Sequence, residues 1–230
     1  MSKDEFKIDI SGVEGLDFNL ADMIPLDLDE DTIIKVSLLF LDQSTSMTPV
    51  ASAARRAAND HLAAVQEDSH ALHIICMVGL NGTPQVLIAP QLASEVEPLT
   101  SYDLNPGSPI YMVVDLVMRN LMRDYQYLGT ELQKHFQIFA YINSDGQDEE
   151  QYRGCSPRPT FPDRTLEITS QASQAGWRLK AVGINGINGR QLARNLGFDP
   201  ELAETMRPGR RGTAGSTVAY TRLVTEERKD

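Results

Sequence analysis

The fold is indicated most clearly by the run Ile33-Ile34-Lys35-Val36-Ser37-Leu38-Leu39-Phe40-Leu41, followed directly by Asp42-Gln43-Ser44-Thr45-Ser46. Its first part is a nearly continuous apolar run rich in branched side chains, which is typical of a parallel strand buried on both faces. The run ends in a carboxylate followed by small polar residues, so the pattern predicts a polar turn at the carboxyl end of the strand. In open α/β sheets, ligands bind at that edge.

Strand-like runs and amphipathic stretches alternate along the rest of the chain. Further strands are predicted at 72–80, 85–89, 136–142 and 179–184, with Asn81-Gly82 as a two-residue hairpin turn between the first two. Helices are predicted at 50–66, 110–127 and 165–175, with shorter ones at 191–196 and 200–206 and a last one near Ser216. This order predicts an α/β, doubly wound fold, with a mainly parallel central sheet, one antiparallel edge strand and helices on both faces.

Charge divides the chain of 230 residues into two parts. The net charge is −11, but residues 1–31 contain ten acidic residues and two lysines, a net charge of −8, which leaves −3 for the remainder. We therefore expect an acidic N-terminal arm at 1–31 and a single domain at 32–230. Proteins that bind nucleic acids concentrate positive charge, so the composition disfavours nucleic acid as a partner.

Three polar turns are expected to meet at one edge of the sheet. They are Asp42-x-Ser44-x-Ser46, the turn Gly107-Ser108-Pro109 before a helix, and Asp145-Gly146 at the end of a strand. Together they supply two carboxylates and several hydroxyls without histidine or cysteine. An all-oxygen set of this kind suits a hard cation, above all Mg²⁺.

These three segments resemble the metal-ion-dependent adhesion site, or MIDAS, of von Willebrand factor type A (VWA) domains, and the resemblance covers about residues 32–225. It implies a VWA fold, which is Rossmann-like, of the stand-alone intracellular type found in bacteria or phage-infected cells. It also implies that Ser44 and Ser46 bind the cation directly, and that Asp42 and Asp145 bind it directly or through water.

Two residues depart from the pattern of the family. Ser108 stands where the family usually has threonine, so the hydroxyl is kept while the methyl group that restricts the side-chain rotamer is lost. We therefore expect Ser108 to complete the metal site with some loss of affinity. Thr45 replaces a frequent glycine, which is the milder departure.

The resemblance implies a binding module, not an enzyme. The cation, Mg²⁺ or alternatively Mn²⁺ or Ca²⁺, would accept an Asp or Glu carboxylate from a partner protein as its last ligand. The alternative is a Mg²⁺-dependent phosphoryl-transfer or hydrolytic enzyme that uses the same rim, since Asp42 resembles the nucleophile position of haloacid-dehalogenase-type phosphatases. Those enzymes need a second acid two residues later, where this chain has Ser44, and no residue is evident as general acid.

The acidic arm leaves three hypotheses open. Phe6, Ile8 and Ile10 alternate with polar residues, and Leu16, Phe18 and Leu20 repeat the pattern. Such a segment is suited to pairing with a sheet edge, or it is mobile until a partner binds. Self-association is the third hypothesis, with one arm carboxylate completing the metal site of a neighbouring copy.

The sequence also favours a cytoplasmic location. Two cysteines, Cys76 and Cys155, cannot form a disulfide framework, and free thiols are typical of a reducing compartment. No basic-then-apolar stretch resembles a signal peptide, and the longest apolar runs are shorter than a membrane span. We expect no membrane segment.

Overall fold

The computed structural model describes residues 12–13, 16–25, 28–145, 161–184, 186–206 and 210–226. Within these residues the strands form one sheet in the order β3-β2-β1-β4-β5-β6. All neighbouring strands are parallel except β2 and β3, which are antiparallel. The strands are β1 Ile34–Asp42, β2 Leu72–Leu80, β3 Gln85–Leu92, β4 Phe136–Ser144, β5 Arg178–Gly183 and β6 Glu204–Thr205.

Helices cover both faces of this sheet. They are α1 Ala51–Glu67, α2 Ile110–Tyr127, α3 Gly129–Gln133, α4 Phe161–Gln174, α5 Gly189–Leu196 and α6 Arg210–Glu226. Apolar side chains of α2, α4 and α5 form one core cluster with one face of the sheet. Those of α1 and α6 form a second cluster on the other face. The prediction of a doubly wound α/β fold with one antiparallel edge strand is confirmed.

The central strand β1 explains why the apolar run in the sequence is continuous. All nine of its residues are buried, because β2 lies on one side of it, β4 on the other and helices on both faces. Leu38 and Phe40 pack into the first core cluster, whereas Leu39 and Leu41 pack into the second. The strand period of two therefore divides one apolar run between two cores.

Two predicted elements are wrong in detail. The Asn81-Gly82 pair does not form a two-residue hairpin, because the last pair of β2 and β3 joins Gly79 to Gln85 and leaves a longer loop. The predicted helix at 200–206 is replaced by β6, a two-residue strand that pairs with Val182 and Gly183 of β5. At the first place the side chain of Asn81 instead bonds to Gln43 and to the amide of Thr83. At the second, pairing with β5 overrides the local pattern.

Helix ends also differ from the prediction. The last helix begins at Arg210 and not near Ser216, and the short helix α3 was not predicted. The long helix α2 has the predicted bounds, Ile110–Tyr127. Long amphipathic stretches are therefore well predicted, whereas short or weakly amphipathic ones are not.

The described part of the N-terminal segment packs against the domain. Val13, Leu16, Phe18 and Leu20 are buried in the first core cluster. The backbone amides of Phe18 and Asn19 donate to Oδ2 of Asp124 in α2, at 2.8 and 2.9 Å. Phe6, Ile8 and Ile10 lie outside the described residues. None of the helices in the described ranges combines the length and the apolar character needed to cross a membrane.

Candidate metal centre

The candidate site is built on the carboxyl end of β1. Asp42 is the last residue of the strand and is fully buried beside Leu80 of β2. The chain then turns away from the sheet, and the backbone amide of Ser44 donates to Oδ1 of Asp42 at 2.9 Å. This turn holds the carboxylate of Asp42 at the rim of the sheet.

The two serines of the motif lie side by side on the next turn. The hydroxyl oxygens of Ser44 and Ser46 are 2.8 Å apart. A short 3₁₀ turn spans Thr45–Met47, and the side chain of Met47 is buried in the second core cluster. The apolar anchor at Met47 therefore keeps both hydroxyls on the rim.

The carboxyl end of β4 brings the second acid to the same place. Leu41 of β1 pairs with Asn143 of β4, so the two parallel strands end together. The hydroxyl of Ser144 donates to Oδ2 of Asp42 at 2.7 Å, and the backbone amide of Asp145 lies 3.4 Å from the same oxygen. Asp145 itself is 2% exposed.

Ser108 reaches the rim on the segment that precedes α2. Two bonds tie this segment to the end of β1: the Tyr102 hydroxyl donates to the carbonyl oxygen of Asp42 at 2.6 Å, and the amide of Asn105 donates to that of Gln43 at 3.0 Å. Gly107 has a φ of 92°, a backbone conformation that favours glycine. Ser108 is buried, and its hydroxyl has no hydrogen-bond partner among the described residues.

Hydrogen bonds thus connect four of the five predicted residues. Asp42 is bonded to Ser44 and lies against the amide of Asp145, and Ser44 contacts Ser46. Ser108 has no side-chain hydrogen bond to the other four, and its segment is tied to the end of β1 through Tyr102 and Asn105. Gly146, the last member of the predicted motif, lies outside the described residues.

The electrostatics of the rim favour a cation. Burial raises the pKa of Asp42, and the nearby charge of Asp145 raises it further, although hydrogen bonds from Ser44 and Ser144 act in the opposite direction. Among the described residues, Oδ1 of Asp145 and Oγ of Ser108 are buried oxygens without a partner. Two buried carboxylates, of which Asp145 has an unpartnered oxygen among the described residues, are costly without a counter-charge and would be stabilised by a cation.

The ligand chemistry also fits the group that the sequence implies. Within the described ranges, no group of three or more His, Cys, Asp and Glu side chains is placed to hold a metal. The rim instead offers two carboxylates and several hydroxyls, a set that suits Mg²⁺, Mn²⁺ or Ca²⁺ better than a soft metal. The residues present therefore fit a hard divalent cation.

Two further residues, Ser144 and Tyr102, position Asp42 and were not predicted as part of the site. Ser144 stands directly before Asp145 at the end of a strand, so its place on the rim was open to prediction from the strand pattern. Tyr102 lies 60 residues from Asp42 in a segment without regular secondary structure. No local pattern marks Tyr102 as a neighbour of the site.

The fold of this chain is similar to that of several solved structures, although no family model and no curated protein matches the sequence. The pilus adhesin SpaC from Lactobacillus rhamnosus GG has a TM-score of 0.61 at 13% identity, covering 85% of this chain and 30% of that one. A von Willebrand factor type A protein from Catenulispora acidiphila has a TM-score of 0.55 at 14% identity, covering 85% and 42%.

A third similar structure contains a metal. Proximal thread matrix protein 1 from the mussel byssus, with a zinc-occupied MIDAS motif, has a TM-score of 0.52 at 13% identity, covering 85% of this chain and 46% of that one. The chain thus spans less than half the length of each of these three proteins. At these identities the similarity shows the fold alone: the chain has a VWA-like α/β fold.

Proposed function

We propose that this chain is a divalent-metal-dependent protein–protein interaction module with a MIDAS-type site formed by Asp42, Ser44, Ser46, Ser108 and Asp145. The observation that carries the proposal is that Ser108 and Asp145 each have a buried oxygen without a partner among the described residues, on segments that are bonded to the end of β1 where the buried Asp42 lies. Buried polar atoms without partners are rare in folded proteins and call for a ligand or water.

A bound cation supplies an electrophilic site for an oxygen ligand, and Mg²⁺ is our first choice, with Mn²⁺ and Ca²⁺ as alternatives. The protein's own part is to hold its oxygens in place. Ser144 and the Ser44 amide orient the two carboxylate oxygens of Asp42, while Tyr102 secures the backbone at the same residue. Neutral hydroxyl ligands at Ser44, Ser46 and Ser108 leave the ion attractive to an Asp or Glu of a partner protein.

The solved structures support a binding role. One similar structure is an adhesin and another carries zinc in a MIDAS motif. We therefore propose a non-enzymatic protein that engages a carboxylate of its partner. For its location we propose the cytoplasm, which the buried free thiol of Cys76 supports. Cys155 lies outside the described residues.

Isothermal titration of the full chain with MgCl₂ and MnCl₂ tests the metal site. We expect wild type to bind one ion and Asp42→Ala to bind none. The matched control is Asp103→Ala, which removes an exposed carboxylate from the segment that carries Ser108. Equal binding by wild type and Asp42→Ala would overturn the proposal, as would loss of binding in the Asp103→Ala control.

A second experiment separates binding from catalysis. Wild type and Ser44→Ala are compared for capture of protein partners in Mg²⁺ and in EDTA, and for hydrolysis of a generic phosphate monoester in Mg²⁺. We expect capture that needs both Mg²⁺ and Ser44, and no turnover. Phosphatase activity that is lost in Asp42→Asn would replace the binding function with the enzymatic alternative.

A further inference from the structure

The outer edge of β3 is a strand edge without charged residues. Within the described residues β3 pairs with β2 alone, at the end of the sheet. Its sequence, QVLIAPQL, contains no charged residue, and most of its side chains are half-buried. Proteins protect long edge strands with charges, proline, β-bulges or a covering segment. Pro90 and two register irregularities with β2 interrupt this edge, but residues 85–89 carry no charge, so we expect a covering segment along them.

The N-terminal segment meets the described structure at the beginning of this strand. A Cβ added to Gly12 would lie 2.4 Å from the carbonyl oxygen of Pro84 and 3.3 Å from Cα of Gln85. The backbone of Gly12 is therefore in close contact with the chain where β3 begins. The next residue, Val13, is buried in the core cluster against which Val86 of β3 also packs.

The position of Gly12 determines the direction in which the preceding residues can follow β3. From Gly12 toward Met1, a chain that stays beside β3 runs from Gln85 toward Leu92, which makes it antiparallel to β3. Eleven extended residues span up to about 36 Å, whereas the five residues 85–89 need about 17 Å. The length of the segment is therefore sufficient.

The sequence of the segment fits the edge. Phe6, Ile8 and Ile10 alternate with Lys7 and Asp9, which is the period of a strand with one apolar face. Pairing from Gly12 onward brings Ile10 beside the half-buried Val86 or Leu87. The acidic residues of the segment, Asp4, Glu5 and Asp9, then provide the charged outer edge that β3 lacks.

We propose that the outer edge of β3 is the docking site for residues 4–11 of the same chain, which add an antiparallel strand along residues 85–89. The strand closes the uncharged edge and keeps the acidic residues of the arm on the edge of their own sheet. This inference is independent of the metal site.

Hydrogen exchange measured by mass spectrometry on the full chain tests the docking site. We expect the outward-facing amides of 85–89, which do not bond to β2, to exchange at least about tenfold faster when residues 2–11 are deleted, because they lose their hydrogen-bond partners. Peptides from α2 report whether the fold is kept. Equal exchange at 85–89 in the full chain and the deletion variant would overturn the proposal.

Two variants of full length test the same site without truncation. Ile8→Asp with Ile10→Asp removes the apolar face of the segment and should speed exchange at 85–89. Lys7→Ser with Asp9→Ser, on the opposite face, should leave it unchanged. The full chain should also have a monomeric mass from 5 to 200 μM. A dimer with a protected β3 edge would place the segment on a second copy and contradict docking within one chain.

Discussion

At the scale of single residues, the candidate site depends on how Asp42 is held. Both of its carboxylate oxygens accept hydrogen bonds from the protein, and its backbone carbonyl accepts one from Tyr102. The price of this order is a buried carboxyl whose charge is disfavoured by burial and by Asp145. Holding this carboxyl at the rim is therefore electrostatically unfavourable, and we expect a bound cation to reverse the balance.

Replacing Asp42 by Asn should separate metal binding from folding. The amide keeps the size of the side chain and removes its charge, so in EDTA we expect a free energy of unfolding within about 1 kcal/mol of wild type, or higher. With Mg²⁺ at about 100 times its Kd, wild type should gain about 2.7 kcal/mol and the variant nothing. Urea unfolding with and without Mg²⁺ measures both. An equal Mg²⁺ effect on the two proteins would contradict the assignment of Asp42.

At the scale of secondary-structure elements, close contacts between neighbouring segments support the site from behind. Gly79 of β2 lies next to the side chain of Gln43, which is fully buried and accepts a hydrogen bond from Asn81 at 3.2 Å. On the face of the sheet to which Gly79 points, α1 and α6 pack together through His61, Tyr220 and Thr221. We therefore expect small changes in the packing of β2, α1 and α6 to affect the stability of the domain, although none of the five predicted metal ligands belongs to these elements.

Gly79→Ala should destabilise the domain by about 1–3 kcal/mol, because the added Cβ would lie 2.1 Å from Oε1 of Gln43 in a packed core. Displacement of Gln43 should also weaken Mg²⁺ binding, since Gln43 follows Asp42 directly. Gly215→Ala in α6 is the matched control: nothing lies within 4 Å of its added Cβ, so stability should be unchanged or slightly higher. Urea unfolding and metal titration of both variants provide the comparison, and equal effects would disprove the role of the close contact.

The contact between α1 and α6 should make stability depend on pH. His61 is fully buried, with Nδ1 3.0 Å from Oγ1 of Thr221, and burial, followed by the effect of His73, lowers its pKa to about 3. Between about pH 6.5 and 3 the unfolded chain therefore binds a proton that the folded chain does not, so the free energy of unfolding falls as the pH falls.

The contribution of His61 should amount to about 2 kcal/mol between pH 7.5 and pH 5. Unfolding of wild type and His61→Gln at both pH values measures it: the variant should lose less stability than wild type on acidification, by roughly that amount. His70→Gln, at an exposed position, should keep the wild-type difference. A wild-type pH dependence in His61→Gln would show that other groups are responsible.

At the scale of the whole molecule, one sheet joins all the functional features. The parallel strands β1 and β4 end together at the candidate metal site. Helix α1, which follows Ser46, packs into the second core, and helix α2, which follows Ser108, packs into the first core on the other face. The N-terminal segment joins the first of these cores at Val13, Leu16, Phe18 and Leu20. We therefore expect its described part to unfold together with the domain.

Phe18→Ala tests this cooperation. Phe18 is fully buried, and loss of its ring should cost about 3–5 kcal/mol while unfolding remains a single transition. The control is Asp17→Ala, which removes an exposed ion pair with Arg123 and should change stability by less than about 1 kcal/mol. Urea unfolding followed by circular dichroism and by tryptophan fluorescence checks both. A change below 1 kcal/mol for Phe18→Ala would show that the segment is a separate appendage.

Local patterns in the sequence predicted most of the long elements, and they named the residues of the candidate site, which stay a prediction. The bounds of β2 and α2 follow from local periodicity, because the pattern of apolar side chains indicates which face of an element is buried. The motif Asp42-x-Ser44-x-Ser46 and the Asp145 turn follow from the same strand ends. Local sequence patterns therefore indicate which face of its own strand or helix a residue occupies.

Contacts between residues that are distant in the sequence were not predictable from local patterns. Ser144 and Tyr102 bond to Asp42 across 102 and 60 residues of sequence. The side chain of Asn81 donates a hydrogen bond to Gln43, and the Asn81-Gly82 pair does not form a tight hairpin. Likewise, the tertiary structure places Phe18 in the core and Gly12 at the beginning of β3. Such contacts depend on strand register and on how loops close in space, and neither leaves a periodic pattern in the sequence.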